Sequence, residues 1–326
     1  MVDGMPDPAL VVVGELLADI NVGRGLGDAV LALEARRGGS PANVAVGAAR
    51  LGVPTAFVGR LARDGMGSWL QGQMRSPGLD LRWSVPAAEP ATLALVTQSS
   101  AGRASYTFYG SDTADWQWRT GELPPVNEVA GAAVHTGSLV TVLPPGGEVL
   151  ATWFDALRAG GRTLISYDPN LRAALTGHHP AAKSSVEAWV GRAHLVKVSD
   201  DDLAIACPGE QPLEIARRWA ESGPEMVVVT HGADGASVLI PGRPVVTRLP
   251  KPVAVVDTVG AGDAFAAGLL AWLAAAEHLA PGHLGRLGAA EVVDALDTAN
   301  LVAALSCARS GADPPERADV AGAPWP

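Results

Sequence analysis

Short apolar runs alternate with longer helical stretches along this chain, and no other feature limits the fold so tightly. Residues 10–13 form a continuous apolar run that ends at Gly14, and further buried strands are expected at 55–58, 132–135, 163–167, 195–198 and 226–230. A short, wholly apolar run suits a strand covered on both faces. Helical stretches at 41–51, 148–159, 212–221 and 292–308 separate these runs. The alternation predicts an α/β fold with a doubly wound, mostly parallel sheet and helices on both faces. Two segments depart from it. Residues 20–37 are rich in glycine and charge, and within 92–118 the stretches 92–96 and 105–109 read as paired strands. They are expected to form a small β lid (20–37 and 91–119) on a core made of 1–19, 38–90 and 120–326. The last dozen residues, which end in Ala321-Gly322-Ala323-Pro324-Trp325-Pro326, read as a poorly ordered tail.

Composition excludes several classes of function. With 326 residues and 48% hydrophobic content the chain can bury a large core. A net charge of -10, with no Lys/Arg cluster interleaved with aromatics, argues against a nucleic-acid partner. Cys207 and Cys307 are the only cysteines and have no metal-ligand spacing, which fits a reduced, cytoplasmic setting. Adjacent His178 and His179 read as loop residues. The apolar run at 9–13 is too short for a signal-peptide core, and the apolar helix at 264–276 falls short of the roughly 20 residues that cross a bilayer. No membrane partner is expected.

The chemistry is concentrated in Asp257-Thr258-Val259-Gly260-Ala261-Gly262-Asp263-Ala264-Phe265. The run at 252–256 reads as a buried strand and the stretch from Phe265 as a buried helix, so the glycines fall at a strand-to-helix turn. The first amides of a helix lack intrahelical partners and, with the positive end of the helix dipole, make an anion site. A carboxylate there repels a phosphate, so Asp263 is either a capping residue or the base that takes a proton from an attacking hydroxyl. Phe265 stands where a dinucleotide-binding GxGxxG needs a third small residue, which excludes that reading. A GxxxxGK[ST] loop is also absent; Lys183, Lys197 and Lys251 are the only lysines, and none follows a glycine. A second glycine pair, Gly38-Gly39, precedes Ser40-Pro41-Ala42-Asn43. Ser40 reads as the N-cap of the helix and Pro41 as its first residue. The glycines are a tight turn, a hinge or a point of close ligand approach, and Asn43 can offer a donor and an acceptor to a polyol.

Together, Gly39-Ser40-Pro41-Ala42-Asn43-Val44-Ala45 and the 257–265 motif resemble the two characteristic regions of the ribokinase-like (PfkB) carbohydrate kinases, over nearly the whole chain and in the same order. The resemblance implies a doubly wound core with a β lid, ATP with magnesium as donor, and a sugar or nucleoside hydroxyl as acceptor. It assigns Asp263 as base and the amides of Gly260, Ala261 and Gly262 as the hole for the transferring phosphoryl. Asp19 resembles the aspartate that grips acceptor hydroxyls. Asp168-Pro169-Asn170-Leu171-Arg172 is similar to a DxNxR segment in which Asp168 and Asn170 meet the substrate and Arg172 the substrate or phosphate; a surface turn built on Asp-Pro-Asn is the lesser alternative. Ser199 and Asp202 stand at the Asn and Glu places of a region that organises magnesium through water. Thr230, Gly232 and Gly235 match a nucleotide-contacting segment, and Asn300 a position lining the adenine pocket. Asp257, Val259 and Gly311 match a potassium site found in some members. In the lid, Phe108 and Tyr109 resemble sugar-facing aromatics of fructokinases, while Gly110 replaces an arginine common among relatives. That loss favours a neutral hexose, most simply fructose, over 2-keto-3-deoxygluconate; a ribokinase or nucleoside kinase and a non-catalytic sugar sensor are the alternatives. Relatives pair lid to lid, so a homodimer is expected.

Overall fold

The computed structural model describes residues 6–25, 30–98, 104–171 and 180–326. Its strands are Leu10–Val13 (β1), Leu17–Gly25 (β2), Leu31–Gly38 (β3), Thr55–Val58 (β4), Arg60–Ala62 (β5), Leu79–Asp80 (β6), Val85–Ala87 (β7), Leu93–Gln98 (β8), Ala104–Tyr109 (β9), Ala133–Gly137 (β10), Ile165–Asp168 (β11), Leu195–Ser199 (β12), Met226–Thr230 (β13), Ala236–Leu239 (β14) and Val246–Arg248 (β15). Its α-helices are Ser40–Arg50 (α1), Gly65–Gln73 (α2), Gly146–Gly160 (α3), Pro180–Arg192 (α4), Asp200–Ala206 (α5), Pro212–Glu221 (α6), Ala261–Ala275 (α7) and Ala289–Cys307 (α8).

Nine strands form one sheet in the order β15-β14-β13-β12-β11-β10-β1-β4-β6, parallel except where β14 and β15 turn back. The apolar runs are continuous because both faces are covered. Along β1, Leu10 and Val12 join a cluster with α1, α7 and α8, whereas Val11 and Val13 join one with α3, α4 and α6. Small residues bring the first group of helices close together: a Cβ on Gly47 would lie 2.7 Å from Ala267, and one on Gly268 2.9 Å from Val302. A second, four-stranded sheet, β3-β2-β8-β9, joins the core through Gly14–Leu16, Gly39 and Thr92. The order of strands reverses between β1 and β10, so the carboxyl ends of β1, β10, β11 and β12 open on one crevice.

Two expectations are corrected. Residues 252–256 are not a strand, and Val255 and Val256 are 63% and 64% exposed. Beyond the antiparallel edge strand β15 the run has no ladder to join; the amides of Val256 and Asp257 donate instead to the Cys307 carbonyl at the end of α8, at 2.8 and 3.1 Å. β-Branched composition marks a preference for a pleated surface and cannot show whether a partner edge is free. The C-terminal tail is packed rather than loose. Val320 is buried, Trp272 Nε1 donates to the Pro324 carbonyl at 2.8 Å, and the Arg317 guanidinium lies 3.3 Å from the centre of the Trp325 ring. Among the described residues, no helix is long and apolar enough to cross a membrane.

Candidate active site

The turn before α7 is built by glycine for two different reasons. Gly260 caps the helix at φ 76°, and a Cβ there would lie 2.6 Å from the Cβ of Ala312. The Ala261 amide returns to the Thr258 carbonyl at 3.2 Å, so this one of the three expected anion-binding amides is taken up by the turn itself. Asp263 follows in the first helical turn, only 7% exposed. The Ser40 hydroxyl donates to its Oδ1 at 2.7 Å and Asn43 Nδ2 to its Oδ2 at 2.9 Å. Ser40 is therefore not the N-cap of α1. Gly39 takes that place at φ 97°, pressed against the Glu15 carbonyl, which starts the helix at Ser40 and turns the hydroxyl towards Asp263. Asn43, expected to meet a polyol, spends its amide on Asp263; its Oδ1 is buried without a partner.

Beneath this turn lies a buried ion pair. Lys197 Nζ, from the middle of β12, donates to Asp168 Oδ2 at 2.9 Å, and both side chains are buried. A Cβ on Gly262 would lie 2.9 Å from the same nitrogen. Burial pushes the Asp168 carboxyl up to about 6 against the pull of Lys197. Burial alone would lower the ammonium's pKa, but Asp168, Asp202 and Asp263 outweigh it and leave it raised. Asp168 is thus a partner of Lys197 rather than a group exposed to substrate. Asn170, at φ 39°, lies just beyond on the connection from β11, and Arg172 falls outside the described residues, as do Arg103, His178 and His179.

The small sheet holds the other end of the crevice. Asp19 lies within β2, against the position a Gly38 Cβ would occupy. Register places Arg36, Asp19, Ala94 and Phe108 in one row across four strands. Side chains in such a row share a face, and the next residue along each strand points the other way. Phe108 and Tyr109 therefore cannot both face one sugar: Phe108 packs towards the core, whereas Tyr109, in line with Leu93 and Ala18, is 56% exposed. Gly110 offers the crevice no side chain; a Cβ there would lie 3.2 Å from the Trp116 indole nitrogen.

The residues expected to handle the nucleotide and metal serve the fold first. Ser199 caps α5 and exchanges hydrogen bonds with Asp202, whose other oxygen accepts the Leu171 amide at 2.7 Å. Both oxygens of Asp202 accept hydrogen bonds, which leaves it suited to contact with a metal through water rather than to direct coordination. Among the described residues no group of three His, Cys, Asp or Glu could hold a metal. Thr230 Oγ1 leans on the Val198 carbonyl at 3.4 Å, Gly232 has φ 56°, and Gly235 has φ 85° and abuts the Arg248 carbonyl. Asn300 is buried, donating to that same carbonyl at 3.2 Å. Asp257, Val259 and Gly311 do converge: Asp257 accepts the Gly311 amide at 2.8 Å and the Val259 amide at 3.1 Å. Arg36 Nη1 stands 3.9 Å from Asp257, so a potassium ion here would meet a guanidinium already in place.

Sequence reasoning missed three features. Ser40 and Lys197 are two of them; a lysine inside an otherwise apolar buried strand was the available signal for the second. The third is an acid pair at the junction of the two sheets. Asp115 accepts the Leu16 amide at 2.8 Å and the Thr92 hydroxyl, joining the residues that lead into β2 and β8. Glu15 is fully buried nearby, with the Val140 amide 3.4 Å from its Oε2. Burial raises Glu15 to about 8 and Asp115 to about 6.

Comparison with known proteins agrees with this geometry. The family model described as pfkB family carbohydrate kinase matches residues 8–319. The chain is 35% identical to a fructokinase of Rhizobium leguminosarum bv. trifolii over 72% of its own length and 71% of that protein. The structure of a fructokinase with bound ATP from Xylella fastidiosa superposes with TM-score 0.84 at 25% identity, covering 94% of each chain. A fructokinase from Vibrio cholerae O395, in its fructose-, ADP- and calcium-bound form, gives 0.79 at 28% identity over 93% of this chain and 94% of that one. A match over nearly the whole chain, with Asp263 and the glycine turn in the crevice that the fold predicts, makes this protein a member of the pfkB family of carbohydrate kinases.

Proposed function

We propose that this chain is an ATP-dependent fructokinase that transfers the γ-phosphoryl of ATP to a hydroxyl of fructose. The observation that carries the reading is Asp263: a buried carboxylate in the first turn of α7, beside the Gly260–Gly262 turn, oriented by Ser40 and Asn43. Phosphoryl transfer asks mainly for positioning and charge stabilisation, and a fixed carboxylate beside a helix N-terminus supplies a base next to an anion site. Asp263 takes the proton of the attacking hydroxyl, while Asp19 and the Phe108 face of the small sheet hold the sugar. Gly110, which brings no cation to the site, supports a neutral acceptor. Magnesium bound with ATP would supply positive charge to its phosphates, and Asp202, whose oxygens accept the Leu171 amide and the Ser199 hydroxyl, would meet it through water. The small sheet acts as the lid. Leu31, Leu33 and Tyr109, exposed on one face of it, form the seam of a homodimer, and the enzyme works in the cytoplasm.

The test is turnover of purified protein with ATP, magnesium and a panel of fructose, glucose, ribose, 2-keto-3-deoxygluconate and adenosine, read as ADP release. Fructose should give the highest kcat/KM by at least about tenfold, the order expected for a site that satisfies its polar groups with one acceptor. A higher value for the acidic sugar or for adenosine replaces the acceptor assignment, and no turnover with any acceptor overturns the kinase reading.

A further inference from the structure

Lys197 is the buried charge for which the resemblance provides no role. It is 4% exposed, yet among the described residues it makes one hydrogen bond, to Asp168 Oδ2 at 2.9 Å. An ammonium has three protons to donate, and leaving donors unused in a dry interior is unfavourable. Its position bears on Gly262. Gly260 needs glycine for its positive φ, whereas Gly262 is not among the residues with positive φ. What Gly262 lacks is a Cβ, which would stand 2.9 Å from the ammonium. The missing methyl leaves a window between the lysine and the start of α7. Three acidic groups act on it: Asp168 is paired directly, and Asp202 and Asp263 act through space.

We propose that Lys197 is a catalytic residue whose ammonium reaches through the Gly262 window to a non-bridging oxygen of the transferring phosphoryl; the proposal rests on the kinase reading above. In the transfer, the sugar oxygen bonds to the γ-phosphorus as the bond from that phosphorus to the β,γ-bridging oxygen breaks. The electron pair of the broken bond leaves on ADP, and the hydroxyl proton passes to Asp263. Lys197 forms and breaks no covalent bond. It supplies a fixed positive charge beside the group in flight, with Asp168 as the positioning residue that holds it there. A lysine delivered by strand β12 thus takes the part that a glycine-rich phosphate loop gives to its own lysine, which explains how the chain dispenses with a GxxxxGK[ST] loop.

A merely structural lysine, present to neutralise Asp168, makes the opposite forecast. Three proteins separate the two: wild type, Lys197→Met, and the double variant Lys197→Met/Asp168→Asn, in which no charge is orphaned and folding is checked by circular dichroism. The catalytic role predicts that the folded double variant loses kcat by about 10²–10³, as when a preorganised donor to the developing charge is removed, while KM for fructose stays within about threefold. Calorimetry without sugar provides a readout apart from turnover: the preference for ATP over ADP should fall about tenfold or more, one hydrogen-bonded charge on the terminal phosphate being lost. A folded double variant that keeps kcat and the ATP/ADP preference within threefold of wild type overturns the proposal. An inactive wild type with an intact ATP/ADP shift in the variant would overturn the kinase reading alone.

Discussion

The two ends of the crevice partner their buried acids differently. Under the phosphoryl turn, Asp168 faces Lys197 at 2.9 Å, and Asp263 is fixed by two neutral donors on rigid helix α1. At the junction with the small sheet, Glu15 and Asp115 lie together with only amides and hydroxyls for partners; burial raises Asp115 to about 6, as it does Asp168, and Glu15 further, to about 8. A paired charge stays ionised and keeps its place. An unpaired buried acid tends instead to hold its proton. On the proposed function the contrast matches the tasks of the two ends: chemistry needs a charge held in place, whereas a junction between sheets needs hydrogen bonds that span two chain segments.

The largest expected effect tests the charged end. Asp263→Asn keeps the shape and offers an amide where the base stood, so kcat with fructose should fall by about 10³, within the 10²–10⁴ range of general-base losses, with fructose affinity changed no more than a few-fold. Stopped-flow turnover and equilibrium sugar binding check it. If kcat survives within tenfold, the proton goes elsewhere and the charged end loses its chemical meaning.

How much of this could be read in the sequence depends on which physics decided each residue. The sheet and its helices were legible because burial on both faces writes itself into runs such as residues 10–13, with Leu10 and Val12 on one side and Val11 and Val13 on the other. The turn at 257–263 was legible because glycines next to a carboxylate have few other uses. What sequence could not show was contact between distant segments. Ser40 and Asp263 are 223 residues apart, and Asp168 and Lys197 come from different strands. The exposed run at 252–256 misled for the same reason: whether a strand edge is available is a property of the whole sheet. Phe108 and Tyr109 show the lesson on the smallest scale, since motif likeness treats them as a pair and strand pleating puts them on opposite faces.

The end without a cation is tested by pH. Glu15 has its pKa raised from 4.5 to about 8 on folding, so the folded protein binds a proton that the unfolded chain releases. The stabilisation it gives is complete below about 4.5 and is lost as pH rises through about 8. Glu15→Gln keeps an uncharged group at the Val140 amide and should flatten this slope. The difference in unfolding free energy between variant and wild type should then grow by a few kcal/mol from pH 5 to pH 9, with a ceiling of about 1.36 kcal/mol for every pH interval of one that separates the folded and unfolded titrations. Urea titrations at both pH values measure it. An unchanged difference would mean that Glu15 is ionised in the folded state and that the two ends are alike.

The smallest effect separates the two faces of the small sheet. Tyr109 points away from the row that contains Asp19 and Phe108, and it is 56% exposed. Tyr109→Ala should therefore leave KM for fructose within about twofold, as expected of a surface change away from the site. Phe108→Ala, on the Asp19 face, should raise it about tenfold, the scale of one lost apolar contact in a sugar-binding site. Each variant needs its circular dichroism spectrum alongside, because Phe108 also packs towards the core. Equal shifts in KM from the two substitutions would show that sugar reaches both faces, which a pleated strand permits only if this sheet rearranges around its acceptor; a larger shift from Tyr109 would invert the assignment and place Phe108 among the packing residues.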